Sequence, residues 1–351
     1  LNKQAVEIVF SQKRNKLQHP PLFFNGSIMC KVESHKHLGL TLDPKLTFID
    51  HINDKIKSTK KNIGILKYLS RYLPMKTLDI MYKMFIRPHF DYCDVIYHIP
   101  PITNPFDSTI TLNALMERIE KVQYHAALAI TGTWQGSNRN KLYDELGWES
   151  LSDRRWCRRL IQLYKIRNNL TPQYLRDNHP GQRIPRYRNT TDYCYHEIFC
   201  ITSRYKNSFF PNVTKSWNDI GPEFQSCTSL ESFKRGILNL IRPIEKSIYG
   251  IHDPLSLKRI FQLRVGLSPL KCHKKSHRFI DTPNDWCDCH CAPESTKHFL
   301  LECPLFLLQR QKLTLSLPTI LVNTQVFHLI NDVKLYLYGH HLLKVAQNPS
   351  S

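Results

Sequence analysis

The spacing of apolar and polar positions divides the chain into a short β-patterned opening and a long helical remainder. In residues 5–10, Val6, Ile8 and Phe10 recur at every second position, the period of a strand. Residues 23–30 contain Asn25-Gly26, a pair that favours a two-residue hairpin turn. In residues 32–43, Leu38, Leu40 and Leu42 alternate with Gly39 and Thr41, which predicts a second strand pair. Gly39 is open to two readings there: a bulge, or close approach of another chain or a nucleic-acid strand.

From Thr47 onward the period becomes helical. Ile52, Ile56, Ile63 and Leu66 share one face, which Lys55, Lys57, Lys60, Lys61 and Lys67 mostly avoid. Leu78, Met81, Met84 and Phe85 open a second amphipathic helix that Arg87-Pro88 should stop. A third spans about residues 111–131 through Leu112, Leu115, Ile119, Val122 and Ala126, and Gly132 is placed to end it. Residues 141–146 and 151–170 are also expected to be helical. In the second of these, Trp156, Leu160, Leu163 and Tyr164 make the buried face and Ser152-Asp153 the cap. Residues 178–188 read as a basic linker and 190–201 as an aromatic hairpin. Helices are expected near 209–217, at 230–240 behind Ser229, and at 251–267. A basic run at 271–278 follows, then amphipathic segments at 307–315 and 326–343. The fold class is therefore mainly α, with short N-terminal β hairpins, a central helical bundle and a helical C-terminal region.

Charge changes this picture from a fold to a partner. Lys and Arg number 49 against 29 Asp and Glu, a net charge of +20, and an excess of that size points to a polyanion, most often nucleic acid. On the helix at 151–170, Arg154, Arg158 and Lys165 fall together, with Arg155 and Arg159 beside them. Few acids interrupt that face, which favours phosphate contact over a mixed solvated surface. With Lys55, Lys60, Lys61, Lys67, Lys274, Lys275 and Arg278 they form the candidate nucleic-acid-binding set. Trp134, Trp148, Trp286 and Tyr187 are candidates for stacking on bases, against which core packing is the stronger reading. No window of 18 apolar residues exists, so no membrane span is expected. The opening residues lack the apolar core of a secretory leader, which predicts a nuclear or cytoplasmic location. They also lack an initiator Met and start in mid-strand, as a fragment of a longer protein would.

Near the end, Cys287, Cys289, His298 and Cys303 form the pattern C-x-C-x8-H-x4-C. Three thiolates and an imidazole are a usual closed set for structural zinc. Cys289 with Cys291 is an alternative first pair, and a cysteine-rich loop without metal is the plain alternative. The eleven cysteines are otherwise scattered, as reduced thiols are.

Several stretches resemble a known family. HKHLGLTLD, KSTKKNIGILKYLSRYLP, MYKMFIRPHFDYCDVIY, IEKVQYHAALAITG and LGWESLSDRRWCRRLIQLYKIRNNLTPQYL are similar to the region after the palm in jockey-like non-LTR retrotransposon reverse transcriptases. NSFFPNVTKSWNDIGPEFQSCTSLESFKRGIL, FQLRVGLSPL and ESTKHFLLECPLF resemble the C-terminal tail of the same polyproteins. The resemblance implies a palm end at residues 1–46, with His37, Leu38 and Gly39 in a primer-grip-like hairpin. It implies a thumb-like helical segment at 47–178, a basic linker and helical tail at 179–279, and a CCHC zinc-knuckle-like unit with C-terminal helices at 280–351. RNA and DNA are the implied partners.

The same family binds two magnesium ions through paired palm aspartates, and this chain contains no Asp-Asp pair. Magnesium would belong to a palm upstream of Leu1, and this chain alone should not polymerise. Asp281, Asp285, Asp288 and Glu294 do not form a nuclease pattern and read as capping or solvated groups. Three functions remain to be weighed: a nucleic-acid-binding C-terminal part, a piece of an intact polymerase, and a domesticated zinc module that binds protein.

Overall fold

The computed structural model describes residues 5–11, 19–98, 110–179, 181, 194–241 and 254–316. Of the expected linker at 178–188, residues 180 and 182–188 lie outside the described residues, as do the segment at 326–343 and Tyr187. The described chain is mostly helical with a few short strands.

The opening forms three two-stranded pairs. β1 (Val6–Glu7) runs parallel to β4 (Cys30–Lys31), while β2 (Phe23–Phe24) and β3 (Ser27–Ile28) make a hairpin. Asn25 and Gly26 both take positive φ, 48° and 76°, the turn that matches strand twist. β5 (His35–His37) pairs antiparallel with β6 (Leu40–Leu42) through Leu38 and Gly39. Leu38 thus lies in the turn rather than in a strand, and is 79% exposed. Gly39 is the second turn residue, not a bulge. Phe23, Phe24 and Ile28 are also exposed, so the opening presents apolar surface to solvent.

Asp43 then organises the entry to the helices. Its carboxylate accepts from the backbone N–H of Lys45, Thr47 and Phe48 and from the Thr47 hydroxyl. The helices are α1 (Ile49–Leu69), α2 (Met75–Phe85), α3 (Pro88–Asp91), α4 (Asp94–Tyr97), α5 (Ile110–Thr131), α6 (Arg139–Leu146) and α7 (Leu151–Arg167). They continue with α8 (Gln173–Asp177), α9 (Ser203–Lys206), α10 (Phe209–Asp219), α11 (Pro222–Gln225), α12 (Leu230–Ile241), α13 (Pro254–Val265) and α14 (Lys271–Ser276). A π turn at His298–Glu302, a 3-10 turn at Pro304–Phe306 and α15 (Leu307–Ser316) complete the described chain.

The chain separates into two compact units. The first comprises Leu1–Lys61, Arg87–Val122 and Ser150–Ile241; the second comprises Asn62–Ile86, Gln123–Glu149 and Arg242–Ser351. These limits cut across the four sequence segments, because α1 and α5 each begin in the first unit and end in the second.

In the first unit α7 supplies the central apolar face. Cys157, Leu160, Leu163 and Tyr164 pack with Val213 and Trp217 of α10 and Phe233 and Ile237 of α12. The Tyr164 and Phe233 rings stack at 4.5 Å. Ser150, not Ser152, caps α7: its hydroxyl accepts from the Asp153 N–H at 3.0 Å. In the second unit Tyr82 stacks on Trp148 at 4.1 Å and donates to Gln123 Oε1 at 2.5 Å. Trp148 Nε1 donates to the buried Asp79 carboxylate at 2.7 Å, which also pairs with Lys83. The buried face of α2 is Met75, Leu78, Asp79 and Tyr82, whereas Met84 and Phe85 are exposed. Those two were expected inside. The helix spends its inward positions on the polar Asp79 and Tyr82, whose partners come from distant segments.

Candidate metal centre and cationic surface

Two backbone devices bring the four ligand residues together. Residues 286–293 fold back on themselves: Trp286 bridges Pro293, and Cys287 N–H donates to the Ala292 carbonyl at 3.0 Å. His290, at φ 57°, makes the reversal between them. The second device is the π turn. Residues five apart on an α-helix point about 140° away from each other. Here the Cys303 N–H bonds the His298 carbonyl at 2.7 Å, an i→i+5 closure that puts both side chains on one side. Ser295 caps the turn by accepting from the His298 N–H at 3.1 Å.

The result is a compact set. Cys287 Sγ, Cys289 Sγ, His298 Nε2 and Cys303 Sγ lie within 4.8 Å of one another, an arrangement that could hold a metal ion. Cys287 and Cys303 sulfurs are 3.6 Å apart, close to the edge of about 3.8 Å that a tetrahedron with 2.3 Å zinc–sulfur bonds requires. Cys289 Sγ lies 3.1 Å from His298 Nε2. Cys291 is not among the four: its thiol is exposed and donates to the Cys289 carbonyl at 3.3 Å. Cys287, Phe299, Leu300, Cys303 and Phe306 are buried together with Leu263 and Leu270, so the set rests on an apolar floor, with Cys289 half-buried at its edge.

The thiols are unequal. Burial pushes Cys287 up to about 12 and also raises Cys303. At Cys289 burial acts in the same direction, but the Cys291 N–H, His298, Cys287 and Cys303 outweigh it and bring the thiol down to about 6. A divalent cation bound here would displace the protons that burial keeps on Cys287 and Cys303, so metal binding would release protons.

The basic run before the cluster is tied to it. The Glu294 carboxylate accepts from the Lys271 N–H at 2.7 Å, at the start of α14. Lys271 pairs with Asp288, Lys274 with Asp281 at 3.2 Å, and Lys275 with Asp285 at 2.8 Å. The acidic residues therefore serve as partners for the lysines, and Lys274 and Lys275 are not bare cations. Arg278 is exposed just past the helix, at φ 56°.

The α7 arginines are buried or paired with acids, which corrects the expectation of a face of bare cations open to phosphate. Arg154 makes a two-point pair with Asp91, at 2.7 and 2.8 Å, and Arg158 pairs with Asp94 at 2.9 Å. Arg155 and Arg159 are both 2% exposed. Arg155 donates to His98 Nδ1 at 3.2 Å; Arg159 donates to the carbonyls of His98 and Ser208 at 3.1 and 2.8 Å. Burial, then Arg155 and Arg159, hold His98 well below the ordinary histidine range, so it accepts as a neutral ring. The acids and carbonyls come from α3, α4, the residue after α4 and Ser208 before α10, which no inspection of α7 alone reveals. Lys165 is half-buried.

No protein-family model, curated protein or solved structure matches the chain.

The lysines of α1 behave differently from the arginines. Lys57, Lys60, Lys61 and Lys67 are exposed, while Lys55 is half-buried over the Tyr92 ring at 5.6 Å. Lys55, Lys57, Lys60, Lys61, Lys67, Arg71 and Lys76 fall within residues 55–78 with no Asp or Glu among them. Tyr68 and Tyr72 are 59% and 64% exposed with ring centroids 5.5 Å apart. This exposed pair was not among the stacking candidates; its signal was an i, i+4 spacing inside an acid-free stretch. Of the candidates, Trp148 is buried, Trp134 packs on Phe279 at 4.6 Å, and Trp286 is 50% exposed.

His37, Leu38 and Gly39 sit at the tip of the β5–β6 hairpin. Leu38 and Gly39 have φ of 45° and 84°. What approaches Gly39 is a side chain: a Cβ there would lie 3.2 Å from the Tyr92 ring, whose hydroxyl donates to the Leu38 carbonyl.

Proposed function

We propose that this chain is the nucleic-acid-binding C-terminal part of a jockey-like non-LTR retrotransposon reverse transcriptase, gripping RNA and DNA without a polymerase centre of its own. The observation that carries the reading is the acid-free cationic stretch on and after α1, with Lys57, Lys60, Lys61 and Lys67 exposed. Phosphates bind such a stripe without sequence preference, and Tyr68 and Tyr72 offer exposed faces to unpaired bases. Zinc fits the Cys3His set by donor type, spacing and closure, and its role there is structural. The exposed Phe23, Phe24 and Ile28 of the opening hairpin agree with a surface that a preceding palm covers.

The test is RNA binding by fluorescence anisotropy with Lys57, Lys60, Lys61 and Lys67 all changed to Gln. Affinity should fall at least tenfold for every sequence tried. Unchanged affinity would remove the α1 surface from the reading. A second reading, a zinc module that binds protein, draws on Ile280 and Trp286, which are 102% and 50% exposed near the cluster. A partner pulled down in spite of nuclease treatment would favour it.

A further inference from the structure

A second cationic feature shares Lys55 with the α1 stretch and lies beneath the β5–β6 hairpin. It is a cavity of about 210 Å³ with walls from four elements: Lys36 of β5 and Thr41 of β6 with Gly39 between them, His51, Asp54, Lys55 and Ser58 of the first turns of α1, and His89 of α3. Two ammonium groups face it against one carboxylate. The helix dipole adds positive potential from the same end of α1.

His51 gives the cavity its direction. It is 2% exposed, and its Nδ1 accepts from the Thr41 N–H at 3.4 Å. The ring proton therefore sits on Nε2, which is buried and has no acceptor among the described residues. Buried donors are nearly always matched, so an unmatched one at the wall of a cationic cavity calls for an acceptor from outside.

We propose that this cavity is an anion site that takes a tetrahedral phosphate. A phosphate offers several oxygens to donors converging from different elements, where a carboxylate offers two. The volume is about seven times that of a water in the liquid, enough for a phosphate with a few waters. Burial and then Lys55 hold His51 down to about 4, opposed by Asp54 and assisted by Lys36; burial and then Lys55 also lower His89. Both rings are thus neutral at pH 7, and the attraction comes from Lys36 and Lys55 with His51 as a directional donor. The source of the phosphate, a nucleic-acid strand or the free ion, rests on the function proposed above.

The experiment is a titration of the full chain, labelled with 15N-histidine, with inorganic phosphate. One-site saturation that shifts the His51 Nε2–H signal is expected, and the double variant Lys36→Gln, Lys55→Gln should weaken it at least tenfold. Lys36→Gln alone, on an exposed hairpin position, should weaken it about threefold with the helical circular dichroism unchanged. A His51 signal indifferent to phosphate, or equal binding by the variants, overturns the site. A single-stranded oligonucleotide that moves the same signal and is displaced by phosphate makes the source a strand. Phosphate binding without any oligonucleotide binding keeps the cavity and removes the nucleic-acid reading. Oligonucleotide binding with a His51 signal that phosphate does not move does the reverse.

Discussion

Exchanging Cys289 for Ser separates the metal reading from mere packing. Cys287 and Cys303 are buried in the apolar floor, so their loss would combine a missing ligand with a disturbed core. Cys289 is only half-buried, and a hydroxyl in place of its thiol changes little besides the donor set. Loss of a partner that merely orients a ligand costs about 10–100-fold in metal affinity. Loss of one of four direct donors should exceed that, so Cys289→Ser should bind zinc more than about 100-fold more weakly, above about 3 kcal/mol. Cys291→Ser is the matched control: its thiol is exposed and lies outside the four-residue set, so affinity should stay within about threefold of the parent. The assay is competition against a chromophoric chelator, with metal content per chain measured in parallel. Equal losses in the two variants, or parent affinity in Cys289→Ser, would refute the assignment of ligands.

Two further outcomes follow from buried groups. Trp148→Phe keeps the stack on Tyr82 but leaves Asp79 Oδ1 without its donor, which should cost about 1.5–3 kcal/mol in urea unfolding, against about 0.5 or less for Trp286→Phe. Burial lifts the Asp94 carboxyl to about 6 in spite of Arg158, whereas an unfolded aspartate titrates near 3.9. Between about pH 4 and pH 6 the folded chain holds a proton that the unfolded chain has released, so stability from this group falls as pH rises through that window. Asp94→Asn should lack that slope when urea midpoints are compared at pH 4.5 and 6.5; parallel profiles would count against it.

Much of the helical plan was legible because it is local. Ile52, Ile56 and Leu66 fix α1, Gly132 ends α5 at φ 63°, and Asn25-Gly26 sets the first hairpin turn. The Cys287, Cys289, His298 and Cys303 cluster was legible for the same reason, since its four residues lie within 17 positions. The pairing and burial of the α7 arginines were not. A charge is exposed or buried according to what faces it, and Asp91, Asp94 and the His98 carbonyl arrive from about 60 positions away. Met84 and Phe85 misled in the opposite direction, because hydrophobicity alone does not tell which face of α2 finds a partner. The His51 cavity left no sequence signature at all, being assembled from a hairpin, a helix and a short helical turn.

The central claim is that the exposed lysines of α1 hold nucleic-acid phosphates. It is tested most directly by RNA affinity measured as a function of salt. Four lysine contacts to a single strand should give a slope of log affinity against log salt of about −3, and the four Lys→Gln changes should bring it toward zero. An affinity that stays constant from 50 to 200 mM salt, or a slope that survives those four changes, would contradict the account.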